Sequence, residues 1–191
     1  MHLTFREVTP ATIPDFEAFF SAPGAPHFCW CIVWRRTTEE SHHHQPADRK
    51  AQMLKRICAG TPVGLVAYDG DTAAGWVSIA PRDTHRNLGG PPAQADENIW
   101  SIACFFVPRK RRGQGTVRAL IKGAIAHAKE KGATIVEAYP VDRAAPSYRY
   151  MGFTDVFAEA GFTDEGMAGT RRHVMRLRLR GKPEPTRRLR T

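Results

Sequence analysis

Ile99–Gly132 reads IWSIACFFVPRKRRGQGTVRALIKGAIAHAKEKG, and its three parts decide the fold. Ile99 to Val107 is almost continuously apolar, rich in Ile, Phe and Val, and stopped by Pro108. That is the pattern of a strand buried on both faces. Further on, Val117, Leu120, Ile121, Ala124, Ile125 and Ala128 recur at helical spacing, with Lys122, His127, Lys129 and Glu130 outside that face. A helix packed on a sheet is expected, ended by Gly132 in a left-handed cap. Between strand and helix lies RKRRGQG. Gly113 and Gly115 let the loop bend tightly and approach a ligand without a Cβ in the way, and Arg109, Lys110, Arg111 and Arg112 surround it. The free N–H groups and the positive dipole end of the helix point back into this loop. An oxyanion, most simply a phosphate, is what such an arrangement stabilises. The loop is neither a Walker A sequence nor GxGxxG, and a plain solvated connection would be built from the same elements.

Working outward, the segment resembles the acetyl-CoA-binding motif of the GNAT superfamily of N-acetyltransferases: a strand ending in Val, then Arg/Gln-x-x-Gly-x-Gly/Ala opening a helix. Arg112, Gly115 and Val117 occupy the three motif positions, with Val117 where Gly or Ala is usual, and Gly113 fits the frequent Arg-Gly-x-Gly form. Downstream, Tyr148-Arg-Tyr-Met-Gly152-Phe153 resembles the family's Tyr-x-x-x-Gly-Phe, with the strand-like ATIVEAYP between the two motifs. The resemblance covers Pro62 to about Phe157. It implies an α+β (three-layer) fold: a mixed, mostly antiparallel sheet flanked by helices, with splayed central strands.

The resemblance also implies a reaction. Acetyl-CoA is the expected co-substrate and a primary amine the acceptor, in a ternary complex with direct attack. The pyrophosphate is expected against Arg111, Arg112, Gly113, Gln114, Gly115, Thr116 and Val117. Pantetheine is expected in the splay, held by backbone groups of Phe105, Phe106 and Val107, with the Phe105 N–H aimed at the thioester carbonyl. Tyr148 is the implied acid for the departing thiolate, with Tyr150 as its substitute. Where some members carry a glutamate base this chain has Ser101, which cannot act alone as a base at neutral pH. Glu97, assigned to the same strand face by alternation, could act through water; Glu137, Tyr139 and Asp142 are further candidates. A homodimer is allowed, since many relatives pair through their C-terminal strands.

The remainder of the chain is read from its residues. A length of 191 with 42% hydrophobic residues suits one globular domain, expected over 1–180, with the Pro- and Arg-rich 181–191 as a basic, disordered tail. The net charge is +9, which invites an anionic ligand or nucleic acid. The basic residues concentrate in a loop and a tail, without aromatic residues interleaved on one face, which argues against nucleic acid. A non-catalytic CoA-binding module and an acyltransferase acting on a hydroxyl remain as rivals. Four cysteines do not make a disulfide framework at this length and suit a reducing cytoplasm. No signal peptide or membrane-spanning run is seen.

Leu3 to Val8 alternates as a strand, and a first helix through Ala22 carries Ile13, Phe16, Phe19 and Phe20 on one side. HFCWCIVWRR (27–36) reads as a packing segment. Its functional alternative is a wall of the acceptor pocket, with Trp30 and Trp34 covering the acceptor. Cys29 and Cys31 with His42, His43 and His44 lack paired zinc spacing, so no metal is expected. A second helix is expected over Asp48–Ala59 with Ala51, Leu54 and Cys58 inward. Pro62–Tyr68 and Thr72–Ala80 form a hairpin about Asp69-Gly70-Asp71. Pro81–Gln94 is loop. Tyr148 is expected on a short helix ended by Gly152, Phe153–Phe157 starts a strand, and Arg171–Leu179 is the last strand.

Overall fold

The computed structural model describes residues 3–179; the tail expected over 181–191 lies outside them. Eleven elements follow in order: β1 (Thr4–Glu7), α1 (Ile13–Ser21), α2 (Pro46–Cys58), β2 (Leu65–Asp69), β3 (Thr72–Pro81), β4 (Ile99–Phe106), α3 (Thr116–Glu130), β5 (Ile135–Ala138), α4 (Thr154–Glu159), β6 (Thr163–Ala168) and β7 (Arg172–Arg178). The strands make a seven-stranded sheet in the order β1-β2-β3-β4-β5-β7-β6. Every neighbouring pair is antiparallel except β4 and β5. This is the mixed, mostly antiparallel α+β sheet that the family resemblance implies.

Alternation along β2 and β3 builds two cores. Leu65, Ala67, Val77 and Ile79 face Leu120, Ile121, Ala124 and Ala128 of α3. Val66, Tyr68 and Trp76 face Phe16, Phe19 and Phe20 of α1 with Met53 and Ile57 of α2. The helices thus cover both faces, as a strand as apolar as β4 requires.

Four expectations are corrected. The inward face of α2 is Met53 and Ile57, while Ala51 and Cys58 are exposed. Met and Ile offer more apolar area than Ala and Cys, and the helix rotates to bury them. Phe153–Phe157 is not a strand. Phe153 is the extended residue before α4, whose single buried stripe is Val156 and Phe157. Tyr148 is not on a helix: it has φ 60° and precedes a 3₁₀ turn at Arg149–Met151. Finally, β4 does not alternate throughout. Its register against β3 shifts between Ser78 and Ile79, leaving Ala103 as the extra residue of a bulge. Phe105 thereby joins Trp100 and Ile102 in the core under α3, and not the face of Ser101. Strand β6 was not anticipated. It is an exposed edge, TDEGMA, with only its last residue buried.

Candidate functional site

Strand β4 pairs with β5 only over Ile99–Ile102 against Ile135–Ala138. Beyond Ala138 the chain leaves the sheet: Val141 bridges to Phe153 and to Arg172. The central strands therefore splay, and a cavity of about 820 Å³ opens beside the second half of β4. Cys104, Phe105, Phe106 and Val107 form one wall. Arg111, Arg112, Gly113, Gly115, Thr116 and Val117 form its basic end, and Gly152, Phe153 and Val156 its far side.

Local chemistry shapes the loop at that end. Gly113 and Gly115 have φ of 75° and 79°, values that strain any residue with a Cβ. Gly115 is the N-cap of α3, and a Cβ there would meet no protein atom within 4 Å. The space in front of the helix N–H groups is therefore open. Arg111 is braced by Asp69 in the β2–β3 turn at 2.5 Å, and Arg112 Nε donates to Val107 O at 3.1 Å. The Thr116 hydroxyl donates inward to Arg111 O at 2.8 Å. The hydroxyl thus pins the loop, and Thr116 remains in the cavity lining. Gln114 Nε2 turns back to Lys110 O at 2.9 Å. Four further cations reach the cavity, Arg49, Arg118, Arg143 and Arg149. Of these, Arg118 stands in the first turn of the helix, where an anion-directed reading could have found it. The others come from distant elements and carry no local signal.

Three thiols meet in the cavity wall. Cys31 Sγ lies 3.0 Å from Cys104 Sγ, with Cys29 beside them. The Cys29 thiol is pushed up by its hydrogen bond to Cys31 and by burial, and Cys31 by its hydrogen bond to Cys104. Both are protonated at neutral pH and are poor nucleophiles.

The expected chemical residues separate. Tyr150 lines the cavity, and its phenol is pushed up to about 12 by burial and then by Cys104. Tyr148 is not among the lining residues. It packs 6.0 Å from Trp34, with the Arg172 guanidinium over both rings. Trp30 stacks on Phe20 in the core, which corrects the pocket-wall role given to it. Glu97 precedes β4 and accepts hydrogen bonds from Gln94 N–H and Arg178, which lower its pKa in that order. At about 3.3 Å per residue it stands some 25 Å along the strand from Phe105, so the shared face inferred from alternation does not bring it to the cavity. Asp142 pairs with His173 at 3.3 Å.

Ser101 belongs to a different structure. Fully buried, it lies 3.2 Å from the Tyr139 hydroxyl, which donates to Glu137. The Tyr139 phenol is pushed up by burial and by the Glu137 charge, so it keeps its proton, and Ser101 is the donor to it. Glu137 in turn accepts from Arg176 Nε at 2.6 Å and faces Arg82 at 3.4 Å. Arg82 and Arg176 hold the 82–93 loop over this network through the carbonyls of Gly89 and Pro91.

The comparisons with known proteins agree with this geometry. The Salmonella typhimurium protein YncA, solved with acetyl-CoA, is 18% identical, with 97% of this chain and 98% of that one covered at TM-score 0.52. The PaiA N-acetyltransferase of Thermoplasma acidophilum, in complex with coenzyme A, is 13% identical over 94% and 100% at TM-score 0.55. The ribosomal-protein-S5-alanine acetyltransferase of Vibrio fischeri is 14% identical over 93% of each chain, again at 0.55. No curated protein matches the sequence. No helix among the described residues is long and apolar enough to cross a membrane, and no group of three or more His, Cys, Asp or Glu among them could hold a metal ion. At these identities the solved structures share the fold; the acetyltransferase (GNAT) family model matches residues 26–153, and the chain belongs to that family.

Proposed function

We propose that this protein moves an acetyl group from acetyl-CoA to a primary amine by direct attack in a ternary complex. The observation that carries the reading is the cavity at the splay, open in front of the N-terminus of α3. The N–H groups that follow Gly115 and the guanidiniums of Arg111 and Arg112 suit a pyrophosphate. The apolar wall of Cys104–Val107 suits the pantetheine arm, and backbone N–H groups there suit the charge that develops on a thioester oxygen. Tyr150, protonated and lining the cavity, is the favoured acid for the leaving thiolate, with Tyr148 as the alternative. The raised thiols of Cys29 and Cys31 support direct attack over an acetyl-cysteine intermediate. Solved relatives with acetyl-CoA or coenzyme A bound support the same donor.

The test is incubation with acetyl-CoA and a panel of amines, small and peptide, with thiol release followed continuously. Release that depends on both substrates supports the proposal. One observation favours a second reading, CoA binding without transfer: among the described residues no Asp or Glu lines the cavity, and Glu137 is held in the buried network with Ser101 and Tyr139. Tight CoA binding with no thiol release from any amine would establish that reading instead.

A further inference from the structure

Arg35 and Arg36 are both buried, at 4% and 8% exposure, and neither has a carboxylate partner among the described residues. Arg35 donates only to neutral oxygens: Pro62 O at 3.3 Å, Thr84 Oγ1 at 2.9 Å, and Val63 O and Ser78 Oγ at 3.0 Å each. Arg36 donates to Glu40 O and, at 2.7 Å, to His43 O. The Nε–H of each is buried without an acceptor. Burying a guanidinium without a counter-charge is costly. The Glu40 carboxylate, on the segment that follows them, is taken by Arg56 at 2.6 Å. Burial, and then the Arg56 charge, push Arg35 down to about 9.

Both residues line a second cavity, of about 610 Å³, with Thr37, Thr38, Ser41, Asp83, Thr84, His85 and Arg86. Arg86 is exposed, and its backbone N–H donates to Trp34 O at 2.7 Å, which ties the 82–93 loop to this segment. His85 is held neutral by burial and by Arg35, and its Nε2 is buried without a partner. Three arginines therefore line this cavity with one carboxylate, Asp83, among hydroxyls and a neutral imidazole. The uncompensated charge matches a dianion, and the mix of guanidinium and hydroxyl donors matches a tetrahedral set of oxygens.

We propose that this cavity binds a phosphate group, free or as the monoester of a small molecule. The site is separate from the α3 loop, with no lining residue in common, and the proposal does not depend on acetyl transfer. The cavity is larger than a phosphate ion, which leaves room for an organic part.

The test is a titration of the full chain with inorganic phosphate at constant ionic strength, balanced with sodium chloride, following the Arg35 and Arg36 Nε–Hε resonances. Saturable shifts are expected. Arg86→Ala, an exposed change that leaves the fold intact, should weaken them about tenfold, as for one hydrogen bond to a charged group. Gly115→Glu, which blocks the other anion site, should leave them as they are. Parallel titrations with glycerol phosphate and acetate identify the source. Tighter binding of the monoester assigns a small organic phosphate, and equal binding assigns the free ion. Phosphate that moves only the amides of residues 109–117, an unchanged affinity in Arg86→Ala, or acetate binding as well as phosphate would each overturn the proposal.

Discussion

The two halves of β4 are built for opposite purposes. From Trp100 to Ile102 the strand is paired on both sides, and its polar face is filled by Ser101, Tyr139, Glu137, Arg82 and Arg176, satisfied by one another and by the Gly89 and Pro91 carbonyls. From Ala103 onward one edge is left open by the departure of β5, and a cavity takes the place of a neighbouring strand. The bulge at Ala103 is the boundary. A buried charge network fixes the position of the splay, and the splay provides the space. A closed, paired first half thus stands beside an open cavity in the second, and changes in the two halves should have separable consequences.

Four outcomes would break or sharpen that contrast. Glu137→Ala should have the largest effect: it strands Arg176, which is 3% exposed, and should cost about 3–5 kcal/mol in a denaturant titration. The folded fraction should still bind CoA. Gly115→Glu acts on the other half. Its side chain enters open space, so stability should fall by only about 1–2 kcal/mol for the left-handed backbone, while the like charge should weaken CoA binding by several kcal/mol, roughly a thousandfold by calorimetry. Retained binding would show that the anion cradle is misplaced.

A smaller effect is expected from the tyrosines. Tyr150→Phe should lower kcat about a hundredfold if its phenol protonates the thiolate, with Tyr148→Phe much milder. The reverse order would return the acid to the position implied by the family motif. Smallest is a pH effect at the end of the sheet. Burial opposes charge on His173, but Asp164 at 2.7 Å and Asp142 at 3.3 Å outweigh it and raise its pKa. A raised folded-state value means that its stabilising contribution is full below the unfolded value of about 6.5 and is lost as pH rises through the higher folded value. His173→Gln should flatten the stability profile over that window, as followed by Tm against pH.

Much of the cavity end was legible because it is local. An apolar run, a proline, two spaced glycines and a helical stripe all fall within 34 residues, so periodicity and backbone freedom suffice to read strand, loop and helix. The acidic and basic roles were less so. Ser101 and Glu97 look alike on an alternating strand until the bulge at Ala103 and the arginines of β7 intervene. Tyr148 and Tyr150 cannot be ranked by spacing, because the left-handed backbone at Tyr148 decides which ring reaches the cavity. Strand β6 has almost no buried side chain to announce it and exists through its ladder with β7.

By itself, then, the sequence determined that β4 is buried, that a basic turn with two glycines follows it, and that α3 packs across the sheet, since each depends on neighbours along the chain. Only the tertiary structure decided which charges meet. Glu137 finds Arg176 from 39 residues away, and Cys31 meets Cys104 across 73. Arg35 and Arg36 are left buried without a counter-ion among the described residues. Electrostatic and packing energies depend on distance in space, which periodicity along the chain does not encode.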